Sequence, residues 1–326
     1  MSRSPHLTVL AFAACTSMSF APEAQADTRI VPWSYSSIQN AINASSDGDM
    51  VLVAAGTYSG TGNYDIDFQG KAIILQSMSG SAFTVIDAEY DGRVFSFHNG
   101  EDRNSIVDGF TIQNGYVRSG DKEQFGGGIH CVGSSPTIKN STITGCGSLY
   151  RSSAGGGVFA ENGSPRFQNC TITKNEARGG SFPYTLHSGG GGVYVSGGTP
   201  IFEDCVISDN ETRSWSTSVG GGEGAGLKSR FSSVTLKNCS ITGNQTNYHG
   251  AGVYHVGDPT AMLTLDNCTV ADNRASGQGN GGGLYLKGPA EITESAIARN
   301  EAAMYGGGDS RMVRWCMRSI QQLGHR

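Results

Sequence analysis

Phe167-Gln168-Asn169-Cys170-Thr171-Ile172-Thr173-Lys174-Asn175 is the stretch that decides how this chain folds. Its heart, Asn-Cys-Thr-Ile at Asn169 to Ile172, returns in altered form along most of the 326 residues. With Cys170 as anchor, the equivalent positions are Phe110, Ser141, Cys205, Cys239, Cys268 and Ser295. The steps between them are unequal, so loops of different length are inserted into a constant frame. Around the anchors the register is strict. Three residues earlier stand Val107, Ile138, Phe167, Phe202, Leu236, Leu265 and Ile292. Two residues later stand Ile112, Ile143, Ile172, Ile207, Ile241, Val270 and Ile297. Five residues later stand Asn175, Asn210, Asn244, Asn273 and Asn300, with Cys146 as the exception. One residue earlier stand Asn140, Asn169, Asn238 and Asn267, with Asp204 and Glu294 as acidic variants.

Side chains two apart share one face of a strand, so the anchor and the aliphatic residue after it point the same way. The apolar residue three before is out of phase with them, and a bend must intervene. Asn suits that bend because it tolerates left-handed backbone and bonds locally. Each repeat therefore reads as a strand, an Asn bend, a second strand, a second Asn, a variable loop, a glycine cluster and a third strand such as Val193-Tyr194-Val195. Glycine clusters open at Gly126, Gly155, Gly190, Gly224, Gly250, Gly281 and Gly306. Repeats of roughly 25 to 35 residues with three short strands describe one turn of a solenoid. Helical repeats would need apolar faces of period 3.6 and far fewer than the 48 glycines present. The expected fold is all-β: a right-handed parallel β-helix, single-stranded, with three short strands per coil. Coils stacked at ~4.8 Å place equivalent residues above one another. Phe167, Phe202, Leu236 and Leu265 should then line one buried stack, and Ile172, Ile207, Ile241 and Val270 another. Asn175, Asn210, Asn244 and Asn273 should sit at bends and bond from coil to coil.

The ends frame this solenoid. Met1 to Ala26 reads as a secretory signal, with Arg3, an apolar run from Leu7 to Phe20 and an Ala24-Gln25-Ala26 cleavage site; a lipoprotein signal through Cys15 is the alternative. Ser37 to Ala44 carries Ile38, Ala41 and Ile42 at helical spacing and reads as a short N-terminal capping helix. The β-helix is assigned to residues 27–308. Residues 309–326 form an irregular basic tail, with Arg311, Arg314, Arg318 and Arg326 against the single acid Asp309, read either as disordered or as the product of a truncated or frame-shifted gene.

Ile38-Gln39-Asn40-Ala41-Ile42-Asn43, then Asp47-Gly48-Asp49 and Gly56-Thr57-Tyr58, resembles the entry segment of bacterial right-handed β-helix proteins of the pectin-lyase-like superfamily. The repeats from Gly155 to Asn169 and from Gly190 to Asp204 resemble those of chlamydial polymorphic outer-membrane proteins. The resemblance covers roughly residues 27 to 308. It implies the fold, and only weakly an activity, since one fold hosts many functions. Pectate lyases of this fold set calcium-binding acids and a catalytic Arg on one sheet, and alginate epimerases carry Asp-Pro-His; neither pattern stands in this sequence. Gly109 to Asn114 echoes pectin methylesterases, but their catalytic Asp motifs and Arg-Pro-Trp are missing.

Composition narrows the function further. The net charge is -5 and no basic patch is interleaved with aromatics, which argues against nucleic acid as partner. No segment after the signal is apolar enough to cross a bilayer. The cysteines show no C-x-x-C spacing, so no metal site is expected and no cofactor, calcium entering only if the chain is a lyase. Cys170, Cys205, Cys239 and Cys268 read as a buried stack of thiols, because in-register parallel neighbours point the same way and fit disulfide geometry poorly.

The candidate site is an aromatic column. In the strand after each glycine cluster, Val158, Val193, Val253 and Leu284 should face the core. Phe159, Tyr194, Tyr254 and Tyr285 should face solvent, with His130 and Lys228 in the same column. Trp215, Tyr150, Phe182, Tyr184, His187 and Tyr248 lie in the loops just before. Phe159, Tyr194, Lys228, Tyr254, Tyr285 and Trp215 are the candidate substrate-binding residues; the plain structural reading is that the aromatics merely stack across strands. Glu161, Glu223, Lys228 and Arg230 lie near one sheet and form the only acid/base candidates, with no catalytic role assigned. Three functions remain open. One is a secreted or cell-surface monomer that binds polysaccharide or a cell-envelope surface without catalysis. The second is a pectate-lyase-like polysaccharide lyase or other carbohydrate-active enzyme. The third is an autotransporter-like passenger without its barrel.

Overall fold

The computed structural model describes residues 26–117, 125–148, 153–178, 188–213, 222–277, 279–303 and the strand Cys316–Arg318. One coil shows the plan of all. After Gly155-Gly156-Gly157 runs Val158–Glu161, then Arg166–Gln168, Thr171–Thr173 and Glu176–Arg178. Each of these strands pairs in parallel with its counterpart one coil away, which builds four sheets, here called a, b, c and d in that order. Sheet a has 7 strands, sheet b 11, sheet c 9 and sheet d 7. Sheet b begins at Thr28–Val31 and ends at Cys316–Arg318, which pairs with Glu291–Thr293.

Sheet d is an addition to the three strands per coil expected from the sequence. Its strands are only two or three residues long, and their inward positions are Ala177, Thr212, Thr246 and Ala275. Small side chains carry no apolar alternation, so that stretch reads as loop until its backbone is seen to pair.

The core follows the predicted register. Val107, Ile138, Phe167, Phe202, Leu236 and Leu265 are fully buried on sheet b, and the Phe167 and Phe202 rings stack at 4.9 Å. Ile112, Ile143, Ile172, Ile207, Ile241 and Val270 are fully buried on sheet c. Stacking like on like lets each coil cover the apolar face of the next, which no coil could bury alone.

The bends obey the same logic. Asn140, Asn169, Asp204, Asn238, Asn267 and Glu294 all have φ between 48° and 54°, the left-handed region. Their side chains run outside as a chain of amides, Asn169 Nδ2 donating to Asn140 Oδ1 at 2.9 Å and Asn267 Nδ2 to Asn238 Oδ1 at 3.0 Å. At the second bend the left-handed residue precedes the column Asn: Lys174, Asp209, Gly243, Asp272 and Arg299, with Gly145 before Cys146 in the exceptional coil. That frees the Asn side chain to turn inward. Asn175 Nδ2 donates to Asn210 Oδ1 at 3.1 Å, Asn210 to Asn244 at 3.0 Å, Asn244 to Asn273 at 2.9 Å and Asn273 to Asn300 at 2.9 Å. The same oxygens accept the backbone N–H of the preceding rung, so the ladder is satisfied on both sides.

Cys170, Cys205, Cys239 and Cys268 are buried free thiols, as are Cys131 and Cys146. Each thiol of the column donates to two carbonyls, Cys205 to Glu203 O at 3.1 Å and Phe167 O at 3.6 Å for example. The helix Ile38–Asn43 is capped by Ser37, whose Oγ accepts from Asn40 N at 3.3 Å, and buries Ile38, Ala41 and Ile42 in the main core.

Candidate functional site

Sheet a carries the column singled out above, and the register pairs it rung by rung: His130 with Phe159, Phe159 with Tyr194, Tyr194 with Lys228, Lys228 with Tyr254, and Tyr254 with Tyr285. Val158, Val193, Leu227, Val253 and Leu284 face the core, so the predicted strand phase holds. What does not hold is exposure. Phe159, Tyr194 and Lys228 are 1%, 0% and 3% exposed and cannot form a solvent-facing strip. Chain segments entering the glycine clusters roof this end of the column. Phe125, Ala154 and Gly189 pair with one another as a short outer ladder, and the Phe125 ring lies on Phe159 at 4.7 Å. Phe159, Tyr194 and Ala154 form a small apolar cluster of their own, separate from the main core. Leaving such rings in water would forfeit about 1.5–3 kcal/mol each, which is the drive for roofing them. Trp215, Tyr150, Phe182, Tyr184 and His187 lie outside the described residues.

Lys228 sits under this roof as a cation within a stack of rings. Its Nζ lies 5.9 Å from the Tyr194 centroid and 5.4 Å from that of Tyr254. It donates to the Ser188 carbonyl and, at 2.9 Å, to Glu223 Oε2. Burial pushes the Glu223 carboxyl up, but the Lys228 charge and hydrogen bond outweigh it and hold the pKa below the usual carboxylate value. Of the acid/base candidates, Glu223 and Lys228 are brought into contact, as a mutually satisfied buried pair. Arg230 is turned to the Tyr194 phenol, whose pKa burial pushes up to about 12.

Beyond Lys228 the roof thins. Tyr254 and Tyr285 are half-buried, and their rings stack at 5.1 Å with planes 1° apart. Two neighbours that the sequence reading passed over complete this end. His249 stacks on Tyr285 at 4.8 Å, and its Nδ1 accepts from Asn280 N at 3.0 Å. Lys287, exposed and two residues after Tyr285 on the same strand, holds its Nζ 5.2 Å from the Tyr285 centroid. The signal for Lys287 was present in the i, i+2 alternation of the strand; His249 carried none, because it precedes the glycine cluster on an irregular stretch. Among the described residues, no group of three His, Cys, Asp or Glu side chains converges as a metal site would require.

With four parallel sheets and this coil geometry on the page, comparison with known proteins adds the lineage. A family model described as "Right handed beta helix region" matches residues 100–310. The chain belongs to the right-handed β-helix family. Among solved structures, this family member is similar to pectate lyase Pel9A, at 13% identity and a TM-score of 0.46, covering 91% of this chain and 77% of that one. It is also similar to a pectin methylesterase crystallised with a hexasaccharide, at 11% identity and a TM-score of 0.37, covering 86% and 82%. A PL6-family alginate lyase is matched at 13% identity and a TM-score of 0.34, over 94% of this chain and 41% of that one. No curated protein matches the β-helix chain in sequence.

Proposed function

We propose that this β-helix is an exported or cell-surface monomer that binds an acidic polysaccharide, without catalysis, on the Tyr254–Tyr285 end of sheet a. One observation carries the reading: two parallel, half-buried tyrosine rings stacked at 5.1 Å, flanked by the exposed Lys287 ammonium. The outer edges of this stack offer apolar contact and phenol groups to a sugar, and the ammonium suits a carboxylate. Lys228 is given a different role from the one its position in the column suggested. Buried between Tyr194 and Tyr254 and paired with Glu223, it holds the platform from beneath rather than meeting ligand. The same pairing speaks against Glu223 as a general base, since its protonation site is occupied by an ion pair. Exposed charge contacts are worth little singly, so affinity should be modest and weakened by salt.

Binding to charged and neutral glycans would be measured for the wild type, for Tyr254→Ala with Tyr285→Ala, and for Lys287→Ala. The double variant should lose binding at least tenfold, and Lys287→Ala should lose preference for acidic over neutral chains. A double variant that binds every glycan as the wild type does would remove the platform from consideration. Incubation with pectate, alginate and other uronates, with and without calcium, supplies the second arm; unsaturated product absorbing in the ultraviolet would overturn the non-catalytic reading.

A further inference from the structure

A second site lies on the outer face of sheet d, on three consecutive coils. Glu211, Gln245 and Arg274 are neighbours in register there, and a cavity of about 410 Å³ opens among them, with Arg213, Asn247 and Ser276 on its walls. Its floor is closed by Thr212 and Thr246, whose hydroxyls both donate to the Gly222 carbonyl. The hydrogen-bonding capacity left over is lopsided. The Glu211 carboxylate is held by Arg213 through two bonds, Nε to Oε1 at 2.5 Å and Nη2 to Oε2 at 3.0 Å. The Ser276 hydroxyl donates to Thr246 O at 3.1 Å. Among the described residues, Arg274 meets an acid only at 3.5 Å, Glu301 on the next coil. A guanidinium carries five donors and no acceptor, so most of those of Arg274 and the outer ones of Arg213 remain for a ligand. Gln245 stands between Glu211 and Arg274 in the register. Both guanidinia have acids nearby, Glu211 and, at 3.9 Å, Glu176 for Arg213 and Glu301 for Arg274, yet the N–H groups these leave unused keep the cavity rich in donors.

We infer that this cavity is an oxyanion site, which takes a carboxylate or a sulfate group between Arg213 and Arg274, with Gln245 bonding a second oxygen. Planar guanidinium forks match such oxygens in pairs. The site is independent of the tyrosine platform: it lies on a different sheet, and no residue is shared. Carboxylate and sulfate present the same paired oxygens, and the probes separate them.

The wild-type protein would be titrated with inorganic sulfate and, separately, with acetate, at ionic strength fixed by chloride. The Nε–H resonances of Arg213 and Arg274 would be followed by NMR, with Arg166 as internal control because its guanidinium is bound to Glu203 at 2.6 Å. Saturable shifts at Arg213 and Arg274 with one of the anions, and none at Arg166, are expected. Arg274→Gln should weaken the response at Arg213 at least tenfold, while Tyr254→Ala with Tyr285→Ala should leave it unchanged. Shifts that rise linearly for both anions, or that match those at Arg166, would overturn the site. So would an Arg274→Gln protein that titrates as the wild type does. Loss of glycan binding in the tyrosine variant with these titrations intact would leave both sites standing; retention of glycan binding there would remove the platform alone.

Discussion

Asn210 shows what one residue contributes to a stack. Its amide donates to Ile172 O at 2.9 Å and to Asn244, and its oxygen accepts from both nitrogens of Asn175. Cutting it back to Ala strands several buried polar groups at once, each costing about 1–3 kcal/mol when left without a partner. Asn210→Ala should therefore lower stability by about 3 kcal/mol or more, read from the shift of the urea midpoint. A midpoint within experimental scatter of the wild type would show that the ladder is ornamental. His130 makes the second case. Burial, reinforced by the charges of Arg93 and His98, lowers its pKa from 6.5 to about 3. A histidine whose folded pKa is depressed contributes stability that is fully present above its unfolded pKa and is lost as pH falls through the folded one. The window here runs downward from pH 6.5. Burial likewise lowers His255 and His249, so acid sensitivity begins above the carboxylate range. At 1.36 kcal/mol per unit, His130 alone removes roughly 3 kcal/mol by pH 4. His130→Phe, placed beside Phe159 in the column, should flatten the fall of the urea midpoint between pH 6.5 and 4; an unchanged slope would contradict this account.

At the scale of the element, the decisive feature is how close strands a and d come within one coil. A Cβ on Gly191 would lie 2.3 Å from Glu211 O, and one on Gly156 the same distance from Glu176 O. The middle glycine of the cluster is thus demanded by backbone on both sides of a narrow coil, independently of the left-handed φ of 66° at Gly190 just before it. Gly133 makes a contrast, with φ 61° but open space around its Cβ position. Gly191→Ala should cost about 3 kcal/mol or more, because two strands must part, whereas Gly133→Ala should cost about 1 kcal/mol of backbone strain alone. Denaturation midpoints of the two variants side by side test the difference, and equal values would mean that the coil is not pinched at Gly191.

For the whole molecule, stability is a sum over coils and the interfaces between them. Excising Gly190 to Glu223 removes one rung from each of the four sheets and brings Gly224 to the place of Gly190. Phe159 would then meet Lys228, and Asn175 would meet Asn244. Such a deletion should fold, with unchanged circular dichroism per residue and a modestly lower midpoint. Excising only Gly190 to Asn210 leaves the residues of sheet d without the rest of their coil and should prevent a cooperative transition. If both deletions behave alike, the coil is not the unit of folding.

The sequence alone determined the parallel β-helix, the register of Phe167 on Phe202 and of Ile172 on Ile207, the Asn bends and the stacked free thiols. All of these follow from local demands repeated on every coil: alternation of side chains along a strand, left-handed backbone at Asn169 or Asp204, and like residues one coil apart. Tertiary structure decided the rest. Sheet d was illegible because Ala177, Thr212 and Ala275 are small, so that nothing in their pattern announces a strand until a neighbouring backbone pairs with it. The exposure of the aromatic column was misread for a related reason. Strand phase, which is local, sends Phe159, Tyr194 and Tyr285 outward alike. Whether an outward ring meets water depends on what lies above it, and here that is Phe125, Ser188 and Glu223, brought over the sheet by segments whose course no periodicity encodes. The donor-rich cavity around Arg274 belongs to the same class, since Arg213, Gln245 and Arg274 become neighbours only when three coils are stacked.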